Sequence, residues 1–273
     1  MRSLLIWGLV LGLVGTAAHA QPYWFAFEFS DPNDLPQGSG WLRRYQPQPF
    51  GVIENGILTY DSNDPQTYDF WEYFRPGALD PGPNEIFVGE WRLWTEWVSF
   101  YWGDPSVAVA SDDGWALCFT FSPTSIHSYH EYVDIPIPPA DPNSPAFHTY
   151  ALLSVDMRDY ELYIDGALVR EGWFAHRFAT SLVIWGDGGD GVASAHHWDY
   201  FRCGVASAPL TGDVNCDGTV DFADINPFVQ VLTDGEGYQG TYSGCWPENA
   251  DINADGTVDF GDINPFVELL TSE

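Results

Sequence analysis

The feature that most constrains this chain is a repeat near its C-terminal end. Residues 213–229 read "DVNCDGTVDFADINPFV" and residues 251–267 read "DINADGTVDFGDINPFV", so 14 of 17 positions are identical. Each copy places oxygen-bearing side chains at alternating positions around a glycine. The chain must therefore build one local structure twice, and its charge indicates what that structure holds.

Charge is distributed unevenly along the chain. All nine basic residues are Arg, against 39 acidic residues, which gives a formal net charge of −30. Between Gly212 and Glu273 there are 13 Asp and Glu and no Lys or Arg. Unopposed carboxylates repel one another in a compact domain unless a cation lies among them, and calcium is the expected cation. The same acidic balance excludes nucleic acid as a partner, because such binding depends on neutralising phosphates.

Both copies match the ligand spacing of an EF-hand type calcium loop. Such a loop takes oxygens from positions 1, 3, 5, 7 (through the backbone carbonyl), 9 and 12, with glycine at position 6 for the sharp turn. The glycines here are Gly218 and Gly256. The predicted ligands of two Ca2+ ions are Asp213, Asn215, Asp217, Thr219, Asp221 and Asp224 in the first loop and Asp251, Asn253, Asp255, Thr257, Asp259 and Asp262 in the second. A solvated acidic loop is the alternative, but two complete matches in a segment without bases favour calcium.

The surroundings of the loops narrow the class of module. No amphipathic helix is predicted before either loop, because "GVASAPLTG" and "SGCWPENA" are turn-like. In both loops, position 12 is Asp. One helix is predicted after each loop, from "FADINPFVQVLT" and "FGDINPFVELLT". A duplicated loop plus helix of this kind resembles a type I dockerin over residues 208–273.

The dockerin resemblance implies a small all-helical module with two Ca2+ ions and pseudo-twofold symmetry. Modules of that family dock a cohesin domain in cellulose-degrading assemblies, so the resemblance implies a cohesin-like protein partner. Partner choice in the family depends on loop positions 10 and 11, which often hold two residues with hydroxyl side chains. This chain instead has Phe222 with Ala223, and Phe260 with Gly261. We expect both Phe side chains to be core contacts between the two helices.

The first 20 residues read as a secretory signal peptide. Arg2 supplies a positive start, "LLIWGLVLGLVGTAA" an apolar run, and "AHA" a cleavage site after Ala20. A membrane anchor is the alternative, but the run is shorter than the roughly 20 residues that a span needs. We therefore expect a secreted, extracellular protein whose mature chain starts at Gln21 and has no membrane span.

Four cysteines lie beyond the predicted signal peptide: Cys118, Cys203, Cys216 and Cys245. An even number in an exported chain favours disulfides, and no two have the close spacing of zinc ligands. Three pairings are open. We predict Cys216 with Cys245, because both lie in the repeat region, which leaves Cys118 for Cys203.

Residues 21–207 show short alternating runs bounded by Gly, Pro, Asn and Asp, for example "YWFAFEF", "WALCFTF" and "YELYIDG". This pattern predicts a mainly β domain, an antiparallel β-sandwich or jelly roll, ahead of a small all-α domain at residues 208–273. Within it, "HTYALLSVDMRDYELYIDGALVREG" predicts three strands joined by turns at "DMRD" and at Asp165–Gly166.

Three phrases carry a resemblance to a known sandwich family. They are "DPNDLPQGSGWLRRYQPQPFGVIENGILTYDSND", the three-strand phrase above, and "VIWGDGGDGVASAHHWDYFRCG". They look like the laminin-G-like, concanavalin A-like lectin and glucanase sandwich, which hosts both binders and glycoside hydrolases. In the last phrase "GDGGDG" predicts a tight loop, with a laminin-G-like calcium site at Asp187 or Asp190 as the alternative.

No catalytic residue is predicted. A retaining glycosidase needs two carboxylates about 5 Å apart, and the related glucanases place them as Glu-x-Asp-x-Glu, which does not occur here. The near matches "DYE" at 159–161 and "EYVD" at 131–134 are interpreted as surface residues. A catalytic pair assembled from distant strands stays open, and a non-catalytic role is favoured.

The histidines are interpreted as structural. His196 and His197 are neighbours, so we expect them to point to opposite faces of one strand. His127 and His130 have no acidic or Cys partner at metal-ligand spacing, and we expect them at the surface.

Aromatic residues favour a carbohydrate partner. Trp91, Trp94, Trp97 and Trp102 crowd one region, and sugar rings stack their apolar faces on such side chains. On a strand, Trp91 and Trp97 share one face and Trp94 the other, so both sets cannot face the core. Core packing is the alternative for each of them, but we predict that some of this aromatic surface binds glycan.

The predicted function is that of a secreted, non-catalytic carbohydrate-binding or adhesion protein with a calcium-dependent, dockerin-like assembly module. A polysaccharide or cell-surface glycan is the expected ligand. Two alternatives stay open: a polysaccharide-degrading glycoside hydrolase that carries a dockerin, and a structural component of an extracellular assembly. The sequence specifies neither the sugar nor the oligomeric state.

Overall fold

A computed structural model of the chain describes residues 25–28, 41–46, 50–62, 68–74, 79–82, 85–99, 105–139, 147–176, 181–188, 193–207, 210–242, 245 and 247–271. The predicted signal peptide, Trp102 and Asp190 lie outside these residues. The chain divides into two compact units, a larger one of residues 23–81 and 87–205 and a smaller one that contains residues 206–273. In the described part of the chain, no helix is long and apolar enough to cross a membrane.

The larger unit is built from strands. They are β1 (Phe25–Glu28), β2 (Trp41–Gln46), β3 (Val52–Glu54), β4 (Ile57–Ser62), β5 (Tyr68–Phe74), β6 (Glu85–Val98), β7 (Ser106–Ala110), β8 (Trp115–Phe121), β9 (Ser125–Ser128), β10 (Val133–Pro136), β11 (His148–Ser154), β12 (Asp159–Ile164), β13 (Ala167–Trp173), β14 (Ala175–His176), β15 (Leu182–Asp187) and β16 (Ser194–Ser207). The first sheet has the order β13-β12-β11-β6-β16-β4-β3, with β1 on β16. The second has the order β10-β9-β8-β7-β15-β5-β2, with β14 on β8.

The two antiparallel sheets form a sandwich, as the alternating runs predicted. Period-two alternation places Leu117, Phe119 and Phe121 of β8 in the core between the sheets. Aromatic side chains dominate this core, because large rings fill the space between two sheets efficiently. Five tryptophans are at most 1% exposed: Trp41, Trp71, Trp91, Trp185 and Trp198.

The hairpin turns follow from local sequence. Asp165 and Gly166 join β12 to β13 with φ values of 49° and 81°. Two consecutive positive φ values are the signature of the turn that matches the twist of a hairpin, and Asp-Gly tolerates them best. The predicted strand–turn–strand–turn–strand order of this region is confirmed by β11, β12 and β13.

The smaller unit contains short helices: α1 (Ile225–Thr233), α2 (Gly235–Thr241) and α3 (Ile263–Thr271). The helices predicted after the two loops are α1 and α3, and each begins in a single 3-10 turn. Among the described residues of the stretch 243–250 before the second loop, the one regular element is the 3-10 turn Pro247–Ala250, in agreement with the prediction that no entry helix precedes this loop. Helix α2 was not predicted, because its glycines are poor helix formers. It starts where the Asp234 carboxylate accepts a hydrogen bond from Gly237 N at 3.0 Å.

The predicted Cys216–Cys245 disulfide is present, with 5.5 Å between the Cα atoms. The predicted Cys118–Cys203 disulfide is wrong, since neither cysteine is in a disulfide. Cys203 faces the core from the first sheet. Cys118 lies on the second sheet between Leu117 and Phe119, which face the core, so its side chain points to the opposite surface. A disulfide needs Cβ atoms about 4 Å apart, which this arrangement does not allow.

Candidate functional sites

The two predicted calcium loops have the same hydrogen-bond pattern. In the first loop, the amide of Asp217 donates to Oδ1 of Asp213 at 3.2 Å and to Oδ1 of Asn215 at 2.8 Å. The amide of Gly218 donates to Oδ2 of Asp213 at 2.9 Å. In the second loop the equivalent distances are 3.1, 2.8 and 2.9 Å. The side-chain oxygens of loop positions 1 and 3 therefore converge on one amide in both copies.

The aspartate at position 12 closes each loop. Asp224 is fully buried, and its Oδ1 accepts hydrogen bonds from Val214 N at 2.8 Å and Asn215 N at 2.9 Å. Its Oδ2 accepts from Asp221 N at 2.9 Å. In the second loop, Asp262 accepts from the amides of loop positions 3 and 9, each at 3.0 Å. One carboxylate thus ties the start of each loop to its end.

Backbone conformation explains the loop glycines. Gly218 and Gly256 both have φ of 89°, in the left-handed region that disfavours a side chain. A Cβ at either position would meet no atom within 4 Å, so the need for glycine is conformational rather than steric. Position 4 is also left-handed, at Cys216 with φ of 57° and Ala254 with φ of 56°.

The donor chemistry of the loops fits a hard cation. Asp213, Asp224 and Asp262 are buried carboxylates in a segment without a single Lys or Arg. Burial raises the pKa of Asp213, and the charge of Asp224 acts in the same direction. Buried carboxylates need a compensating cation, and an all-oxygen ligand set is what calcium takes. Within the parts of the chain that the structure describes, no cluster of three or more His, Cys, Asp or Glu is arranged to hold a metal ion.

The helices of the smaller unit present two equivalent apolar patches. The first patch is Phe222, Ile225 and Val229, which are 70%, 40% and 50% exposed. The second patch is Phe260, Ile263 and Val267, which are 73%, 39% and 53% exposed. The expectation that Phe222 and Phe260 pack in the core is therefore wrong.

The core contact between the helices is made six residues later in each copy. Phe228 and Phe266 are stacked with ring centroids 4.3 Å apart. Each is 3% exposed. At 3.6 residues per turn, positions 222, 225 and 229 fall within about 60° of one another, and position 228 lies about 60° to 120° away from them. The exposed residues and the packed Phe are all apolar and recur at helical spacing. The sequence pattern therefore did not distinguish the residues that pack from those that stay exposed.

The Trp-rich strand β6 divides its side chains between two faces, as predicted. Trp91 and Leu93 face the core and are fully buried. Trp91 stacks on Tyr150 at 5.8 Å and on Phe201 at 6.1 Å between centroids, so its predicted role as a glycan contact is wrong. Trp97 is half-buried.

The opposite face of β6 forms an outer cluster with β16, made of Arg92, Trp94, Glu96, His197 and Asp199. The Trp94 and His197 rings are stacked, with centroids 4.4 Å apart. Nε2 of His197 lies 3.4 Å from a Glu96 carboxylate oxygen, and Arg92 forms an ion pair with Asp199. Of the predicted glycan contacts that the structure describes, only Trp94 lies in this polar and aromatic surface.

A buried carboxylate adjoins the outer cluster on the same face. Glu90 is fully buried and accepts hydrogen bonds from Tyr200 Oη at 2.6 Å and from Arg202 Nε at 3.1 Å. Burial and the charge of Glu90 raise the pKa of Tyr200 far above its ordinary value. Sequence reasoning missed Glu90, although extending the alternation back from Trp94 would have placed it on the outward face.

The two adjacent histidines point to opposite faces, as predicted: His196 is buried and His197 lies on the outer surface. The expectation that His127 and His130 are surface residues is wrong, because they are 3% and 6% exposed. His127 lies opposite Asp134 on the neighbouring strand, with Nδ1 2.8 Å from the carboxylate. Seven positions along the chain separate this pair, and the hairpin brings it together.

An interior polar cluster lies between the two sheets. Asp187, which the sequence left as an alternative calcium ligand, is 1% exposed. Its Oδ2 lies 3.3 Å from the Ser194 hydroxyl and 3.4 Å from Nε2 of His196. Trp198 Nε1 donates to Nδ1 of His196 at 2.9 Å, so neutral His196 carries its proton on the nitrogen that faces Asp187. Burial raises the pKa of Asp187 to about 7, and the charge of Asp69 adds to the effect.

Comparison with solved structures finds sandwich domains of low identity. A carbohydrate esterase of the Shiga toxin-encoding bacteriophage phi24B is 13% identical, with a TM-score of 0.48 over 68% of this chain and 99% of that chain. A GlcNAcα1-4Gal-releasing endo-β-galactosidase of Clostridium perfringens is 16% identical, with a TM-score of 0.46 over 71% and 64%. An endo-1,3-β-glucanase of Streptomyces sioyaensis is 13% identical, with a TM-score of 0.45 over 71% and 100%. Similarity at this level does not transfer an activity to this chain.

No protein-family model matches the sequence, and no curated protein matches it either. The dockerin resemblance therefore stays a prediction from the sequence.

Proposed function

We propose that this chain is an exported, non-catalytic carbohydrate-binding or adhesion protein whose C-terminal module folds around two Ca2+ ions and attaches it to a protein partner. The observation that carries the proposal is the identity of the two loops, which repeat the same hydrogen bonds at the same positions. Both loops keep an oxygen donor at every ligand position of a calcium loop.

The calcium part of the proposal assigns each ion to one loop. Side-chain oxygens at loop positions 1, 3, 5, 9 and 12 and the carbonyl oxygen at position 7 would hold the ion, with Asp224 and Asp262 as the twelfth residues. Bound calcium supplies positive charge to residues 206–273, which contain no Lys or Arg. The buried carboxylates then no longer repel one another, so the ion stabilises the fold.

The docking part rests on the two apolar patches. Six large apolar side chains are 39% to 73% exposed on a unit of this small size. Exposed apolar clusters of this kind mark protein interaction sites. Because the patches are equivalent, either one can present the same surface to a partner. We propose a protein partner, of which a cohesin-like domain is one form, in line with the dockerin resemblance.

The carbohydrate part rests on the outer cluster of β6 and β16. It combines an outward aromatic ring, Trp94, with charged groups that can exchange hydrogen bonds with sugar hydroxyls, among them Arg92 and Asp199.

The test is retention of the mature chain on a panel of insoluble polysaccharides with calcium present, with an assay for sugar released into the supernatant. Retention without release supports the proposal. Release of sugar contradicts its non-catalytic part, and would direct the search to the carboxylates of the outer face. Capture of a protein partner without any glycan retention favours the alternative of a structural component.

A further inference from the structure

The edge of the first sheet carries a second surface with aromatic and acidic groups. Strand β13 is the last strand of this sheet and pairs with β12 in the register Asp159 to Trp173 and Glu161 to Glu171. Tyr160 between them is in the core, and a Cβ at the opposite Gly172 would overlap the Tyr160 ring and hydroxyl. The four residues on either side of this pair therefore point outward.

Trp173 is unlike the tryptophans of the core. It is 49% exposed, whereas the five core tryptophans are at most 1% exposed. Asp159 and Glu171 beside it are exposed as well. Charged residues on an edge strand protect a sheet against unwanted pairing, which accounts for the carboxylates. Edge protection does not account for a half-exposed Trp, a residue type that is enriched at the hot spots of protein interfaces.

The carboxylates of this edge repel one another. Glu161 and Glu171 are directly opposite each other, an arrangement of like charges that destabilises a strand pair. Glu161 is 9% exposed and accepts a hydrogen bond from Tyr163 Oη at 2.7 Å. Burial raises the pKa of Glu161, and the charge of Glu171 acts in the same direction.

The basic residues of the chain are engaged elsewhere. Each arginine in the described ranges pairs with another carboxylate: Arg43 with Asp69, Arg44 with Glu72, Arg92 with Asp199, Arg158 with Asp113, Arg170 with Glu131 and Arg202 with Glu90. An external cation at this edge would remove the repulsion between Glu161 and Glu171.

We propose that the Trp173 edge, made of Asp159, Glu161, Glu171 and Trp173, binds polysaccharides whose sugars carry free, protonated amino groups. The apolar face of one sugar ring stacks on Trp173, and the ammonium group lies among the carboxylates. A cation beside an aromatic ring gains further attraction from the ring itself. This inference rests on the proposed carbohydrate-binding function and names its ligand class. The net charge of −30 opposes anionic polysaccharides at the same surface.

The experiment compares binding of the mature chain to chitosan, to its N-acetylated form chitin and to cellulose, each at low and high salt. We expect retention on chitosan to exceed that on chitin, and to fall with salt. Trp173→Ala should weaken chitosan binding about tenfold, as for a central aromatic contact. Glu171→Gln keeps the shape and removes one charge, so it should weaken binding less and reduce the salt dependence. Tyr129→Ala is the matched control, because Tyr129 is a 42% exposed aromatic in the turn that follows β9, away from this edge of the first sheet.

The outcomes separate this inference from the proposed function. Equal retention of the parent and Trp173→Ala on chitosan would overturn the inference while leaving carbohydrate binding in place. Equal retention on chitosan and chitin would overturn its charge component. Failure of the parent to bind any of the three, or any polysaccharide of the wider panel, would instead remove the proposed function. Circular dichroism of each variant shows that a loss of binding is not a loss of fold.

Discussion

Single residues show how burial changes the behaviour of carboxylates in this chain. Asp61 is exposed, whereas Asp187 is enclosed between the sheets, and burial raises the pKa of Asp187 to about 7. The folded pKa lies above the ordinary value of 3.8, so the folded state holds the proton more tightly than the unfolded state. Asp187 therefore favours folding while it is protonated and loses that contribution as pH rises.

We predict that Asp187→Asn makes the protein less sensitive to pH. The parent should lose stability between about pH 4 and pH 7, by up to about 4 kcal/mol, because the pKa of Asp187 is about 7 in the folded state and 3.8 ordinarily. The variant cannot ionise at this position, so the difference in melting temperature between variant and parent should grow across this range and then level off. Thermal unfolding from pH 4 to pH 8 measures it, with the exposed Asp61→Asn as control. Parallel profiles for parent and Asp187→Asn would contradict the prediction.

The loop glycines give a second prediction at this scale. Gly218→Ala places a side chain at φ of 89°, which should cost about 1–2 kcal/mol and weaken calcium binding in the first loop. Gly240→Ala is the control, since it lies in α2 and a Cβ there meets no atom within 4 Å. The control should be neutral or stabilise by up to about 1 kcal/mol. Calcium titration and denaturant unfolding of both variants test this, and equal effects would argue against the conformational explanation.

At the scale of helices and strands, the question is which side of each element is buried and which is exposed. Helices α1 and α3 each carry apolar residues on two sides, and only tertiary packing determines that Phe228 and Phe266 meet while Phe222 and Phe260 stay exposed. The same holds for β6, where alternation separated Trp91 from Trp94 but left open which of them faced the core.

We predict opposite results for two Phe residues of one helical segment. Phe228→Ala removes a buried ring and should destabilise the smaller unit by about 3–5 kcal/mol. Phe222→Ala removes a ring that is 70% exposed, so stability should change by less than about 0.5 kcal/mol. Denaturant unfolding with calcium present compares them. A large loss for Phe222→Ala would mean that the ring is covered in solution.

At the scale of the whole molecule, the two units have different sources of stability. The larger unit buries a continuous aromatic core. The smaller unit has a short apolar core around Phe228 and Phe266, one disulfide and buried carboxylates. Small cores contribute little stability, so small units need disulfides or metals.

We therefore predict that chelation loosens residues 208–273 and leaves the sandwich folded. Removing Ca2+ leaves the carboxylates without a counter-ion, so amide hydrogen exchange should rise in both loops and in α1 and α3. Asp213→Ala combined with Asp251→Ala should reproduce the effect without a chelator. Unchanged exchange in these segments after chelation would count against calcium in the loops. Exchange in β8 and β15 of the sandwich core serves as the internal reference.

The sequence by itself determined the features that depend on neighbouring residues. Alternation predicted the strands, Asp165–Gly166 the hairpin turn, and the repeat the two equivalent loops, because φ preferences and side-chain direction are set within a few residues. Only the tertiary structure decided which faces meet. It buried Trp91 and exposed Phe222, and it kept Cys118 away from Cys203. It also made β13 the edge of a sheet, which leaves Trp173 49% exposed. These outcomes depend on which strands and helices pack together. The free energy of that packing comes from contacts between residues far apart in the chain.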